Sequence, residues 1–279
     1  MTDAAPLVLY DISSPLQPRS YAPNPSKARL ALSFKGLPFS TTWVDILDIP
    51  ATRQGLACAA VRKFDDGSDF YTLPMLRDPS TGAVVGDSFQ IATYLDDRYP
   101  GAGGRLFPPD STHAGLDYES PARDTPFYAP LTLNEGAKHA AYAAFNTHVD
   151  ATFTANIGLA AEFLPFNPAT AADVRALFAK RAHLSSWDDT RIVGAAARRA
   201  AMDAFEAALA SLGALYALRG GGPYLEGERA TYADLIVGGW LNMLSVTMPK
   251  EEWAAVKAWH GGVFGRLHDA LQEHYFECK

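Results

Sequence analysis

The chain has 279 residues, a formal net charge of −7, and 48% hydrophobic against 20% charged residues. That balance excludes a chain disordered throughout and leaves room for one large core or two modest ones. The acidic surplus excludes the positive field a nucleic-acid partner requires, and the opening MTDAAPLVLYDI carries neither a basic n-region nor a long apolar run, so neither a signal peptide nor a membrane span is expected.

In chain order, LVLYDI (7–12) reads as a short apolar strand, followed by the Pro- and Ser-rich loop SSPLQPRSYAP. A helix is expected to begin at Asn24, with the asparagine as cap, Pro25 in the first helical position, and Gly36 with Pro38 as the stop. FSTTWVDI (39–46) reads as a second strand and 51–64 as a weaker helix. YTLPMLRD (71–78) and AVVGD (83–87) flank the turn DPSTG and read as a hairpin. In SFQIATYLDDRYP (88–100), Phe89, Ile91, Ala92 and Leu95 fall at helical spacing. Residues 101–135, rich in Gly, Pro, Ser and Asp, read as a linker with a surface excursion. From 136 onward every long segment reads as helix, including TYADLIVGGWLNMLSV and an unbroken EEWAAVKAWHGGVFGRLHDALQEHY. An α/β third followed by an all-α remainder implies two domains, 1–108 and 109–279.

Two motifs carry chemistry. Pro74 falls inside an apparent strand, where it removes a ladder donor. A cis proline at a strand end would turn the Leu73 backbone outward, free to pair with an extended peptide; an edge-strand proline without a ligand is the plain alternative. At Asp87–Ser88 a helix begins, with Ser88 at or near the cap. The free N–H groups there suit a carboxylate and Asp87 suits an ammonium, unless the pair is simply a cap. Thr231-Tyr232-Ala233-Asp234 is a capping box with a structural role, stapled by Ala230 and Leu235. The two cysteines, Cys58 in LACAA and Cys278, form no CxxC, so a disulfide framework, a zinc knuckle and a dithiol redox pair are not expected and a reducing cytoplasm fits. Tyr142, Phe145 and Phe153 read as core, with an interdomain pocket wall as the lesser alternative.

The order of these parts resembles glutathione transferases. LVLYDI, RLALSFKGLPFSTTWVDI and YTLPMLRDPSTGAVVGDSFQIATYLDDRYP resemble their N-terminal, thioredoxin-like domain. GGPYLEGERATYADLIVGGWL resembles the start of the buried core helix of their all-helical C-terminal domain. WAAVKAWHGGVFGRL resembles the end of one subgroup, the fungal class A, etherase-like enzymes. The resemblance is specific in 7–46, 71–100 and 223–266 and weak in 101–200.

The resemblance implies glutathione as co-substrate and a homodimer. It implies a glutathione-binding set of Ala22, Thr72, Leu73, Pro74, Asp87 and Ser88, in which Leu73 holds the cysteinyl backbone, Pro74 is the cis-proline, Asp87 and Ser88 hold the γ-glutamyl group, and Lys63 or Arg62 meets the glycyl carboxylate. Ala22 departs from the family pattern, which has serine or cysteine there, so the thiol-stabilising hydroxyl is absent. Asn24 would serve instead, with Ser26, Ser20 or Tyr21 as substitutes. The expected activity is transfer of glutathione to a small aromatic or otherwise apolar electrophile. The alternatives are a ligandin that carries aromatic compounds with little turnover and an interaction module that reuses the fold.

Overall fold

The computed structural model describes residues 6–64, 66–108, 116–122, 131, 132, 134, 136–218 and 222–276. Cys278 and much of 101–135 lie outside them. Strand β1 (Leu7–Ile12) runs parallel to β2 (Phe39–Val44), joined by helix α1 (Pro23–Phe34). A 3₁₀ turn (Ile46–Asp48) leads to α2 (Ile49–Gly55), and the short strands β3 (Arg62–Lys63) and β4 (Asp69–Phe70) pair as a separate ribbon. Then β5 (Met75–Asp78) and β6 (Ala83–Val85) form the hairpin, and α3 (Ser88–Arg98) follows. The main sheet has the order β2-β1-β5-β6, with β5 antiparallel to β1.

The remaining elements are helical: α4 (Ala140–Ala155), α5 (Gly158–Ala161), α6 (Ala171–Arg181), α7 (Ala195–Ala208), α8 (Ala210–Ala217), α9 (Tyr232–Thr247) and α10 (Lys250–His274). This is a thioredoxin-like sheet unit followed by an all-α unit. Among the described residues no helix is long and apolar enough to cross a membrane.

Helix α1 is the keystone. It is buried nearly all round, and three buried cations, two within it and Lys35 at its C-terminal cap, each reach a carboxylate on a different element. Lys27 pairs with Asp150 of α4 at 2.5 Å, Arg29 with Asp11 of β1 at 3.0 Å, and Lys35 with Asp96 of α3 at 3.3 Å. Removing one partner of such a pair leaves an uncompensated buried charge, which costs about 3–5 kcal/mol. Helix α9 makes room for α1 by having no side chain where they touch: a Cβ on Gly239 would come 2.5 Å from the Pro23 carbonyl.

Three expectations about elements are corrected. The helix placed at 51–64 is shorter and earlier, at Ile49–Gly55; Pro50 starts it and Ala57, with φ of 52°, ends it before β3. The hairpin strand starts at Met75, after the proline rather than before it. The last helix is broken at Trp259–Gly262, where His260, Gly261 and Gly262 have positive φ. The His260 ring bonds the Glu206 carbonyl at 2.9 Å and fastens that break to α7.

Candidate active site

The Leu73–Pro74 peptide is cis. The ladder of β5 with β1 begins at the pair Tyr10–Met75, so Leu73 stands just beyond the paired backbone. Its side chain is buried in a small cluster with Val44, Ile49, Cys58 and Met75.

Asp87, not Ser88, is the cap of α3. Its Oδ1 accepts from Phe89 N at 2.8 Å and Gln90 N at 3.2 Å. Aspartate is the better acceptor here because it meets two orphan donors of the first turn at once. Two of the free N–H groups expected to hold a carboxylate are therefore already used by Oδ1, which leaves Oδ2 outside the cap. Ser88 follows as the first helical residue, with the phenol of Tyr232 from α9 against it. The Asp87 carboxylate also lies in the field of Lys27, Arg53 and Arg62.

The start of α1 is built differently. Ala22 is the N-cap and makes no side-chain hydrogen bond; Asn24, expected as the cap, lies inside the first turn. Pro23 and Pro25 have no N–H, and Ser26 N donates to the Ala22 carbonyl at 3.0 Å. Asn24 N–H is therefore the one backbone donor of the first turn left over. Asn24 is half-buried, which keeps its amide accessible.

The substitute hydroxyls do not reach this opening. Ser26 is fully buried, and its Oγ accepts from Asn242 Nδ2 of α9 at 3.0 Å. Position 26 falls on the face of α1 that packs against α9, which occupies its hydroxyl. Ser20 is equally buried, and its carbonyl meets Asn242 at 3.4 Å. Burial also pushes the Tyr21 phenol well above its ordinary pKa, so it has no tendency to ionise. Ser26 Oγ is thus engaged with α9 rather than left at the start of α1.

The sequence reading missed the residue that joins the two candidate segments. Arg53 of α2 is completely buried. Its Nη1 donates to the Thr72 carbonyl at 2.6 Å and the Gly86 carbonyl at 2.9 Å. The same guanidinium holds the Cys58 carbonyl and Sγ and the Ala59 carbonyl. Residues 72 and 86 immediately precede Leu73–Pro74 and Asp87–Ser88, so one side chain sets the spacing of both. Gly86 is required by this clamp, since a Cβ would lie 2.1 Å from Arg53 Nη2 and 2.6 Å from Cys58 Sγ. Cys58 is buried, as expected, and it packs as part of the clamp. The only hint in the sequence was a lone arginine in a weak helix.

Of the two cations expected at a glycyl carboxylate, Lys63 is exposed and ion-paired with Asp69, while Arg62 Nε donates to Thr132 Oγ1 at 2.7 Å. Tyr142, Phe145 and Phe153 are core residues. Two surface depressions are present, one between α8 and α10 and one along α3 that reaches Val85, Phe89 and Gln90 beside the Asp87 cap. Among the described residues no group of His, Cys, Asp and Glu could hold a metal ion.

The chain is similar to known proteins in both sequence and fold. The model of the glutathione S-transferase N-terminal domain matches residues 21–98, and that of the C-terminal domain matches 179–275. A curated relative, the glutathione S-transferase-like protein ustS of Aspergillus flavus, is 35% identical over 107 residues, 36% of this chain and only 37% of that protein. Among solved structures, the glutathione S-transferase CsGST63524 of Ceriporiopsis subvermispora, in complex with glutathione, aligns with a TM-score of 0.79 at 25% identity over 98% of both chains. The glutathione transferase GSTFuA3 of Phanerochaete chrysosporium aligns at 0.76 and 26% identity over 99% of both. The two domain models together span more than half of the sequence, and the chain belongs to the glutathione S-transferase family, enzymes whose co-substrate is glutathione.

Proposed function

We propose that the chain conjugates glutathione to small aromatic or apolar electrophiles, with an etherase-like cleavage of aryl ethers as the subgroup variant. In this reading the cysteinyl backbone lies along Thr72–Leu73–Pro74, the γ-glutamyl carboxylate meets Ser88, and its ammonium meets Asp87 Oδ2. The observation that carries the reading is the Arg53 clamp, which holds the residues before both segments at one fixed spacing. A held peptide thiol beside an electrophile converts a bimolecular reaction into a nearly intramolecular one.

The thiol would face the start of α1. There the Asn24 N–H, its side-chain amide and the positive end of the helix favour the thiolate and lower its pKa. Attack forms the carbon–sulfur bond and expels the leaving group with its electron pair. The thiol proton has left to solvent beforehand.

The runner-up is a ligandin, favoured by Ala22: the cap residue offers no hydroxyl and the two prolines offer no N–H, so the thiolate has few partners. A homodimer and a cytosolic location complete the reading; sedimentation at micromolar concentration tests the first. Calorimetric titration with glutathione, followed by initial-rate assays with a simple aryl halide, separates the functions. A dissociation constant between about 1 μM and 1 mM is expected. Binding with no turnover selects the ligandin, and no heat or thermal shift at about 10 mM glutathione removes both.

A further inference from the structure

The segment from Leu164 to Thr190 leaves the helical unit and fastens onto the sheet unit. Val174 of α6 and Phe166 pack on Ile46, with Ile12 at the edge of the same cluster. Asn167 Nδ2 and Thr170 Oγ1 donate to the Asp45 carboxylate at 2.9 and 3.0 Å. Ile12 also borders the cluster that contains Leu73, so α6 stands beside the peptide cradle.

Arg181, in the last turn of α6, reaches the phenyl ring of Phe70 on β4 at 4.9 Å and that of Phe178 at 5.9 Å. Arg62 of β3 covers the same Phe70 ring at 6.0 Å. Phe70 is two residues from Thr72 along the chain. The guanidinium of Arg181 is half-buried, and among the described residues it has neither a hydrogen bond nor a carboxylate partner. Burial alone pushes its pKa down, with no opposing charge. Half-buried Arg198 reaches Glu252, and the fully buried Arg29 and Arg53 reach Asp11 and backbone carbonyls. Asp69, the carboxylate next to Phe70, is already held by Lys63 and Tyr71. The two rings and the C-terminal end of α6 offset part of the desolvation cost, but none of them supplies a counter-charge.

We propose that Arg181, which shares the Phe70 ring with Arg62, is the anchor of a carboxylate subsite at the edge of the glutathione cradle. The inference rests on the reading of Thr72–Pro74 as that cradle. A tripeptide paired through its central residue with Leu73 extends about 3.5 Å per residue to either side, which brings one end toward the β3–β4 ribbon. The carboxylate is either the glycyl group of glutathione or an acid group on the second substrate. Arginine suits both, because its planar fork takes two carboxylate oxygens at once.

The test compares wild type, Arg181→Gln and Arg181→Lys, each checked for an unchanged melting curve. Glutathione, γ-glutamylcysteine and glutathione amidated at its glycine are titrated into each. A glycyl subsite predicts that Arg181→Gln weakens glutathione about tenfold and leaves the other two ligands within about twofold, with Arg181→Lys in between. A second-substrate subsite predicts unchanged glutathione affinity but a KM raised about tenfold for a carboxylated aryl electrophile and not for its neutral counterpart. Equal effects on all ligands, or no effect on any, overturn the subsite. A wild type that binds no thiol peptide but loses a carboxylated aryl ligand on Arg181→Gln would sink the cradle reading alone. Binding of neither sinks both.

Discussion

Two helices, α1 and α3, pack against each other and treat their N-termini in opposite ways. At α3 the protein spends its own carboxylate on the first-turn donors, and Asp87 also faces three cations. At α1 it supplies nothing: the cap is alanine, two prolines delete donors, and one N–H remains. The first arrangement is closed and rigid, with its geometry fixed by the Arg53 clamp. The second leaves the helix end open to a ligand but poor in hydrogen bonds. On the proposed reading, this difference concentrates affinity at α3 and leaves thiol activation thin at α1.

The largest expected effect comes from breaking what fixes the α3 side. Arg53→Met leaves several buried carbonyls without a donor and should cost at least about 3 kcal/mol in denaturant unfolding. Arg53→Lys keeps the charge but not the fork. It should remain folded and bind glutathione about tenfold more weakly, because residues 72 and 86 lose their shared donor. Unchanged affinity in a folded Arg53→Lys would show that the clamp does not position the cradle.

Next in size is Asp87→Ala. It removes a helix cap worth about 1 kcal/mol and the partner of an ammonium worth about 1.5–3 kcal/mol. Glutathione titration should weaken by at least about tenfold, whereas an analogue lacking the α-amino group should lose much less. If both ligands lose equally, Asp87 acts only as a cap.

The contrast between the helix starts was only half legible in the sequence. Leu73–Pro74, Asp87–Ser88 and the order of strands and helices were readable because each rests on local rules of periodicity, proline geometry and capping. Which residue caps was not. Asn24 and Ser88 are both good cap residues in isolation, yet each lies one or two positions inside its helix because tertiary packing decides where the helix begins. At α1, the close seat of Pro23 on Gly239 makes that decision. Ser26 looked available for the same reason: its distance from Ala22 is short along the chain, but its side points at Asn242. Arg53 was invisible because its partners are backbone carbonyls of residues 72 and 86, and carbonyls leave no mark on a sequence pattern.

A smaller effect should come from enriching the poor side. In Ala22→Ser the hydroxyl stands at the N-cap, where it can accept from Asn24 N–H and donate to sulfur. Pro25 has no N–H to compete for it. A charge-assisted hydrogen bond of good geometry should raise the transfer rate about tenfold and lower the pKa of bound glutathione, read from the thiolate absorbance against pH. A rate that rises while the pKa stays fixed would mean the serine acts on the second substrate.

The smallest effect, and the sharpest test of α1, is at Asn24. Because Ala22 is the cap, replacing Asn24 removes no side-chain capping bond, so changes in thiol chemistry can be read without a large stability correction. Asn24→Ala deletes the side-chain amide but keeps the backbone N–H, and should cost about 1 kcal/mol of thiolate stabilisation, or about fivefold in rate at neutral pH. Asn24→Asp goes further in the same direction, because a carboxylate beside the sulfur opposes the thiolate and raises its pKa. The sign can be checked without turnover. The pH at which bound glutathione ionises should rise in the order wild type, Asn24→Ala, Asn24→Asp. The same three proteins should bind S-methylglutathione, which has no ionisable thiol, with equal affinity. An ionisation that does not move across the series would show that the open start of α1 never meets the sulfur, and the ligandin reading would then describe the protein better than catalysis.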